Sequence, residues 1–145
     1  MSAEMVLLSR KIYFSSAHRY HIDSWSADKN LAVFGPCNNP YGHGHNYELE
    51  VTVLGPVDED TGMVINLTDL DLILKEKIMN PLDHRHLNHE VAYFADRVPT
   101  TENIILFCWQ ELAPCFTHPM SLYKLKLYEN PELFVEYYGA NTPLV

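Results

Sequence analysis

Apolar and polar residues alternate along residues 6–20, where Ile12, Phe14, Ser16 and His18 share one parity. A period of two marks a strand with one face turned to a core. The same period returns in "HGHNYELEVTVLG": His43, His45, Tyr47, Leu49, Val51 and Val53 fall on one side, with Asn46, Glu48, Glu50 and Thr52 on the other. Between these strands, residues 21–42 are rich in Asp, Asn, Ser, Pro and Gly and read as a long surface loop. After the second strand, "PVDEDTG" reads as a turn and "MVIN" as a short extended piece.

The period then changes. Leu67, Leu70, Leu74 and Ile78 repeat at helical spacing. Asp69 and Asp71 stand early in this helix and Lys75 and Lys77 late, an order that suits the helix dipole. A second helix is predicted in "PTTENIILFCWQEL", with Thr100 as its N-cap and Ile104, Cys108 and Leu112 as its stripe. Two strand-like runs close the sequence, "LYKLKLYE" and "LFVEYY"; in the first, Tyr123, Leu125, Leu127 and Glu129 share the apolar parity. The order of strands and helices predicts an α+β fold, a four-stranded antiparallel sheet with two helices packed on one face.

Composition narrows the class. The protein has 145 residues with 47% hydrophobic and 20% charged content, enough for one domain, 1–145, with its own core. A net charge of −9 excludes a general basic surface for nucleic acid or anionic lipid. No apolar run approaches membrane-spanning length, and the first residues lack the charged start and cleavage site of a secretory leader. Cys37, Cys108 and Cys115 are odd in number and widely spaced, so a disulfide framework is not expected and a cytoplasmic setting is.

The chemistry gathers at the histidines. Residues two apart on a strand point the same way, so His43 and His45 can converge on one metal ion, with Gly44 leaving room between them. His18, inward by parity on the neighbouring predicted strand, is the natural third ligand. Three histidines and an open fourth position make a catalytic type of zinc site, whereas a chance H-x-H pair would bring no third inward histidine. The absence of a CxxC pair argues against a closed structural site.

The segments "FSSAHR", "FGPCNNPYGHGHNY", "DEDTGMVINLTDL", "MNPLDHRHLN", "PTTENI" and "LYKLKLYE" carry a resemblance. Across nearly its full length the protein resembles the 6-pyruvoyl-tetrahydropterin synthase family. The resemblance implies the tetrahydropterin-synthase fold (T-fold), with three subunits joining sheets into a barrel and two trimers stacking into a hexamer. It implies conversion of 7,8-dihydroneopterin triphosphate to 6-pyruvoyl-tetrahydropterin with loss of triphosphate, a step in tetrahydrobiopterin biosynthesis. It also implies one zinc per subunit on His18, His43 and His45, a requirement for magnesium, and Cys37 as the base.

By the same resemblance Asp83 and His84 form a proton relay, and Glu129 anchors the pterin, with Thr100, Thr101 and Glu102 completing the pocket. Read without the family, an Asp-His pair after a proline also fits a helix exit, Glu129 also fits a strand end in water, and capping alone explains Thr100. Lys11, Arg19, Lys29 and Arg97 are candidates for the triphosphate by charge. The neighbouring activity is that of 6-carboxy-tetrahydropterin synthase in queuosine biosynthesis, where the cysteine usually stands nearer to HGH, with a shorter spacer. Here five residues, "NNPYG", intervene, which favours the pyruvoyl chemistry. A non-catalytic pterin- or metal-binding module would keep the histidines without needing both Cys37 and the Asp83–His84 pair.

Overall fold

The computed structural model describes residues 4–141; residues 1–3 and 142–145 of the expected 1–145 domain lie outside the described residues. Strands β1 (Met5–His18) and β2 (His43–Pro56) pair antiparallel along their whole length, with His18 opposite His43. Strand β4 (Ser121–Asn130) lies on the far side of β2 and β5 (Leu133–Tyr137) beyond it, both antiparallel. These are the four strands the periodicity predicts. A fifth, the two-residue β3 (Arg85–His86), runs parallel to β1 at Ser16 and Ala17, which gives the order β3-β1-β2-β4-β5. Two residues are too few to show any period, so no pattern could announce it.

One face of the sheet is covered. Phe14, Tyr47, Leu49, Val51, Leu125 and Leu127 are buried there against Leu70, Leu74, Ile78, Ile104, Cys108 and Leu112 from the helices. The first covering helix is α2 (Leu67–Leu74), capped by the Asn66 side chain. It runs on through a π-type turn at Lys75–Met79 into α3 (Asn80–Leu82). Pro81 has no N–H to donate back one turn, and a widened turn just ahead of it accommodates that loss. The buried stripe is therefore Leu70, Leu74, Ile78 and Leu82, while Leu67 is half exposed, contrary to the expectation from spacing.

The second covering helix, α5 (Thr101–Leu112), begins where predicted, with the Thr100 hydroxyl accepting from Asn103 N–H at 3.1 Å. A short α4 (Leu87–Glu90) leads towards it.

Three other expectations are corrected. Residues 21–42 are not one loop, because α1 (Ala27–Phe34) and a 3-10 turn at Gly35–Asn38 occupy much of it. Buried Asn30 organises this segment by accepting from Ile22 N–H at 2.8 Å and donating to the Ile22 carbonyl at 3.0 Å. "MVIN" forms no strand. In β4 the pairing jumps from Lys124 opposite Thr52 to Leu122 opposite Val53, so Tyr123 is an unpaired bulge residue and Leu122 takes the inward place.

Candidate metal centre and pterin pocket

The register of β1 on β2 builds a histidine triad. His18 faces His43 directly and His45 diagonally, since His45 lies opposite Ser16. The three ring centroids stand 4.9, 5.0 and 5.1 Å apart, with interplanar angles of 72°, 68° and 85°. One nitrogen from each ring lies within 4.8 Å of the other two. Gly42 turns the backbone into this strand at φ +71°, and a Cβ there would meet the His18 carbonyl oxygen at 2.8 Å, so glycine is required. Gly44 faces away from the triad, and a Cβ on it would press on the Ser16 carbonyl at 3.1 Å; its small size serves the strand pairing rather than the ligand space.

The protonation pattern suits a cation. The His18 Nδ1 lies 3.1 Å from the Pro99 carbonyl, which can only accept, so Nδ1 carries the proton and Nε2 presents its lone pair. That Nε2 is 3.2 Å from His43 Nε2. Burial above all, with His45 and His43 adding to it, pushes His18 down to about 4, so the ring is neutral at neutral pH. His45 is lowered too, chiefly by burial, although Glu129 acts in the opposite direction. His45 Nε2 is 2.8 Å from Glu129 Oε1, an ion-pair distance, and has no hydrogen-bond partner among the described residues. The bare Nε2 of His18, with nitrogens of His43 and His45 converging on it, fits a divalent metal.

The other expected residues divide into two groups. On the triad side, Glu129 is buried at the end of β4 and accepts a short hydrogen bond from the Thr101 hydroxyl. Cys37 lies half-buried in the 3-10 turn, and burial, reinforced by the negative Glu129, pushes its thiol up. Thr100 spends its hydroxyl on the helix cap, and Glu102 stands exposed in the first turn of α5.

The Asp83–His84 pair is fastened to β1. Asp83 accepts from Ser15 N–H at 2.8 Å, which holds its carboxyl below the usual range, and its Oδ2 lies 3.0 Å from His84 Nδ1. His84, at φ +58°, is 83% exposed and lines a cleft of about 400 Å3 together with Ser15, Ala17, Gly44, Asn46 and the triad's own His45. Among the described residues no hydrogen bond or ion pair joins this dyad to Cys37.

Of the four cations, Lys11 lies 3.9 Å from Glu48 and Lys29 stacks 4.0 Å from the Trp25 ring. Arg19 and Arg97 instead share a cavity of about 500 Å3 with His21 and His89, and Asp23 and Asp96 also line it. It adjoins the triad, because Arg19 follows His18 and Val98, also in its wall, precedes Pro99.

Sequence reasoning left Tyr47 and Tyr20 without roles. The buried Tyr47 hydroxyl is 3.1 Å from His18 Nδ1, and its inward parity with His45 was the available signal. The Tyr20 ring lies against His18, with centroids 4.8 Å apart and planes tilted by 54°, two residues beyond it along the same parity.

A family model described as 6-pyruvoyl tetrahydropterin synthase matches residues 7–140. The protein is 48% identical over 132 residues to the human 6-pyruvoyl tetrahydrobiopterin synthase, which covers 91% of this sequence and 90% of the relative. It is 34% identical over 113 residues to a putative 6-carboxy-5,6,7,8-tetrahydropterin synthase of Archaeoglobus fulgidus, covering 78% of this sequence and 88% of that one. The solved 6-pyruvoyl tetrahydropterin synthase of Caenorhabditis elegans superposes with a TM-score of 0.90 at 35% identity, over 97% of this protein and 99% of that one.

Proposed function

The protein belongs to the 6-pyruvoyl tetrahydropterin synthase family, and from that premise we propose that it turns 7,8-dihydroneopterin triphosphate into 6-pyruvoyl-tetrahydropterin and inorganic triphosphate, using zinc. The observation that carries the reading is the triad His18, His43 and His45, whose ligand nitrogens lie within 4.8 Å of one another beside Cys37 and Glu129. Greater identity and coverage towards the pyruvoyl relative than towards the carboxy one supports this product over its neighbour.

Zinc held by the three histidines would supply the Lewis acidity that makes protons on the carbons of the substrate's hydroxylated tail removable. Cys37 is the base for such a proton. Its thiol is raised in the protein alone, so it needs the substrate and metal in place: hydrogen bonds drawn to Glu129 weaken that carboxylate's field, and a nearby double positive charge favours the thiolate. Glu129 accepts from the pterin amino group and ring N–H, with Thr101 steadying the carboxylate. Arg19 and Arg97 receive the triphosphate in the cavity next to the triad. The release of triphosphate and the internal shift of electrons from one part of the substrate to another need no nicotinamide.

Asp83 keeps His84 oriented for proton transfer, and the exposed imidazole serves a site shared with a neighbouring subunit. That role fits a homo-oligomer, a hexamer of single-domain, cytoplasmic subunits, with magnesium required for turnover.

Mass spectrometry of the product made by purified protein with zinc and magnesium tests the proposal. The pyruvoyl product is expected; the carboxy product with acetaldehyde would transfer the protein to the neighbouring activity. Cys37→Ala is expected to keep its zinc and lose turnover by about a hundredfold or more, whereas full activity in that variant would remove Cys37 from the reaction.

A further inference from the structure

Cys37 sits in the 3-10 turn Gly35–Asn38, which has no side-chain cap of its own. A 3-10 piece of this length holds itself weakly, so bonds from outside decide where the thiol stands. Those bonds come from residues 19–21, directly after His18. The Tyr20 N–H donates to the Cys37 carbonyl at 2.8 Å, and the Arg19 Nε–H donates to the Asn38 carbonyl at 3.1 Å.

The Asn38 side chain closes the joint from the other direction. Its amide nitrogen lies 2.8 Å from the Tyr20 carbonyl and 2.9 Å from His21 Nδ1. A carbonyl only accepts and an amide nitrogen only donates, so the orientation of the amide is settled. One amide proton goes to each partner; His21 Nδ1 offers its lone pair, and neutral His21 carries its own proton on Nε2. The segment that receives these bonds is itself anchored. Asn88 accepts from the Arg19 N–H and donates to the Arg19 carbonyl, both at 2.8 Å.

We propose that Asn38 is a positioning residue for Cys37, locking the thiol-bearing turn onto the backbone that leaves His18. The inference rests on the reading of Cys37 as the base. His18 and the thiol then hang from one short piece of backbone, which fixes their relation before substrate arrives. A base displaced by about an ångström loses much of its rate, while the groups that bind the substrate stay where they were.

Asn38→Ala removes both amide bonds and keeps the two backbone carbonyls that accept from Tyr20 and Arg19. It is expected to lower kcat about tenfold or more, with KM changed by under about twofold and zinc content as in the parent. A second readout needs no turnover. In zinc-loaded protein without substrate, iodoacetamide should modify Cys37 about tenfold faster in the variant, as counted by mass spectrometry of the peptide that carries it. Cys108, fully buried on α5, should stay as protected as in the parent and so reports an intact fold. In a Cys37→Ala background the same substitution should change turnover by under about twofold.

Parent-like kcat and alkylation in Asn38→Ala, while Cys37→Ala loses turnover, would overturn the inference and leave the base standing. Equal losses with and without Cys37 would overturn it as well, since Asn38 would then act elsewhere. So would alkylation of Cys108 along with Cys37, which would make the amide a support of the whole fold. Full activity in Cys37→Ala would remove the base itself, and the role of Asn38 with it.

Discussion

His18 brings burial, tautomer and register together in one side chain. The Pro99 carbonyl dictates which nitrogen carries the proton, and burial keeps the second nitrogen bare. This has a consequence for stability. Folded His18 titrates at about 4 against 6.5 for an ordinary histidine, so as pH falls the unfolded state takes up its proton first. Stability should be full above pH 6.5 and decline as pH falls towards 4, by about 3 kcal/mol in all. His45, lowered as well, acts with the same sign. Urea midpoints of the metal-free protein should therefore drop steadily over about pH 7.5 to 5; a flat profile would mean that the folded ring titrates normally.

At the scale of elements, helical spacing placed Leu67, Leu70, Leu74 and Ile78 on one stripe, yet only the last three are buried. Asn66 caps the helix at Leu67, and the sheet is met one turn later. Leu70→Ala should destabilise by about 2–5 kcal/mol by leaving a cavity, whereas Leu67→Ala should cost under about 1 kcal/mol. Thermal melting of both variants checks the contrast, and equal losses would return Leu67 to the core. The strand periods of β1 and β2 were legible because both are regular from end to end; β4 was legible only as far as its bulge at Tyr123. Helix α1 hid in a polar segment because a buried asparagine, not an apolar stripe, holds it in place.

The whole molecule leaves backbone open at both sides of its sheet. Among the described residues, β1 has an outer partner only at Ser16 and Ala17, and β5 pairs only with β4. Met5, Val6 and Leu7 on one edge and Leu133 and Phe134 on the other are exposed. Long open edges with apolar residues invite strand pairing between subunits, which is the contact the proposed barrel needs. Sedimentation equilibrium should give a mass six times 16.7 kDa. A monomer that still turns over at full rate would overturn the oligomer and the shared use of His84 together.

The amino-acid order alone determined the two strand faces, the start of α5 and the inward course of His18, His43 and His45, because a period of two or a capping threonine is read within a few neighbouring residues. Only the folded protein decided that Thr101 closes on Glu129, that Thr100 is taken up in a cap, and that Asp83 is fastened to Ser15 with His84 beside it. Those relations join segments far apart in sequence, as Thr101 and Glu129 are at 28 residues. Strand order and the packing of α5 on the sheet set them, and no local pattern carries that information.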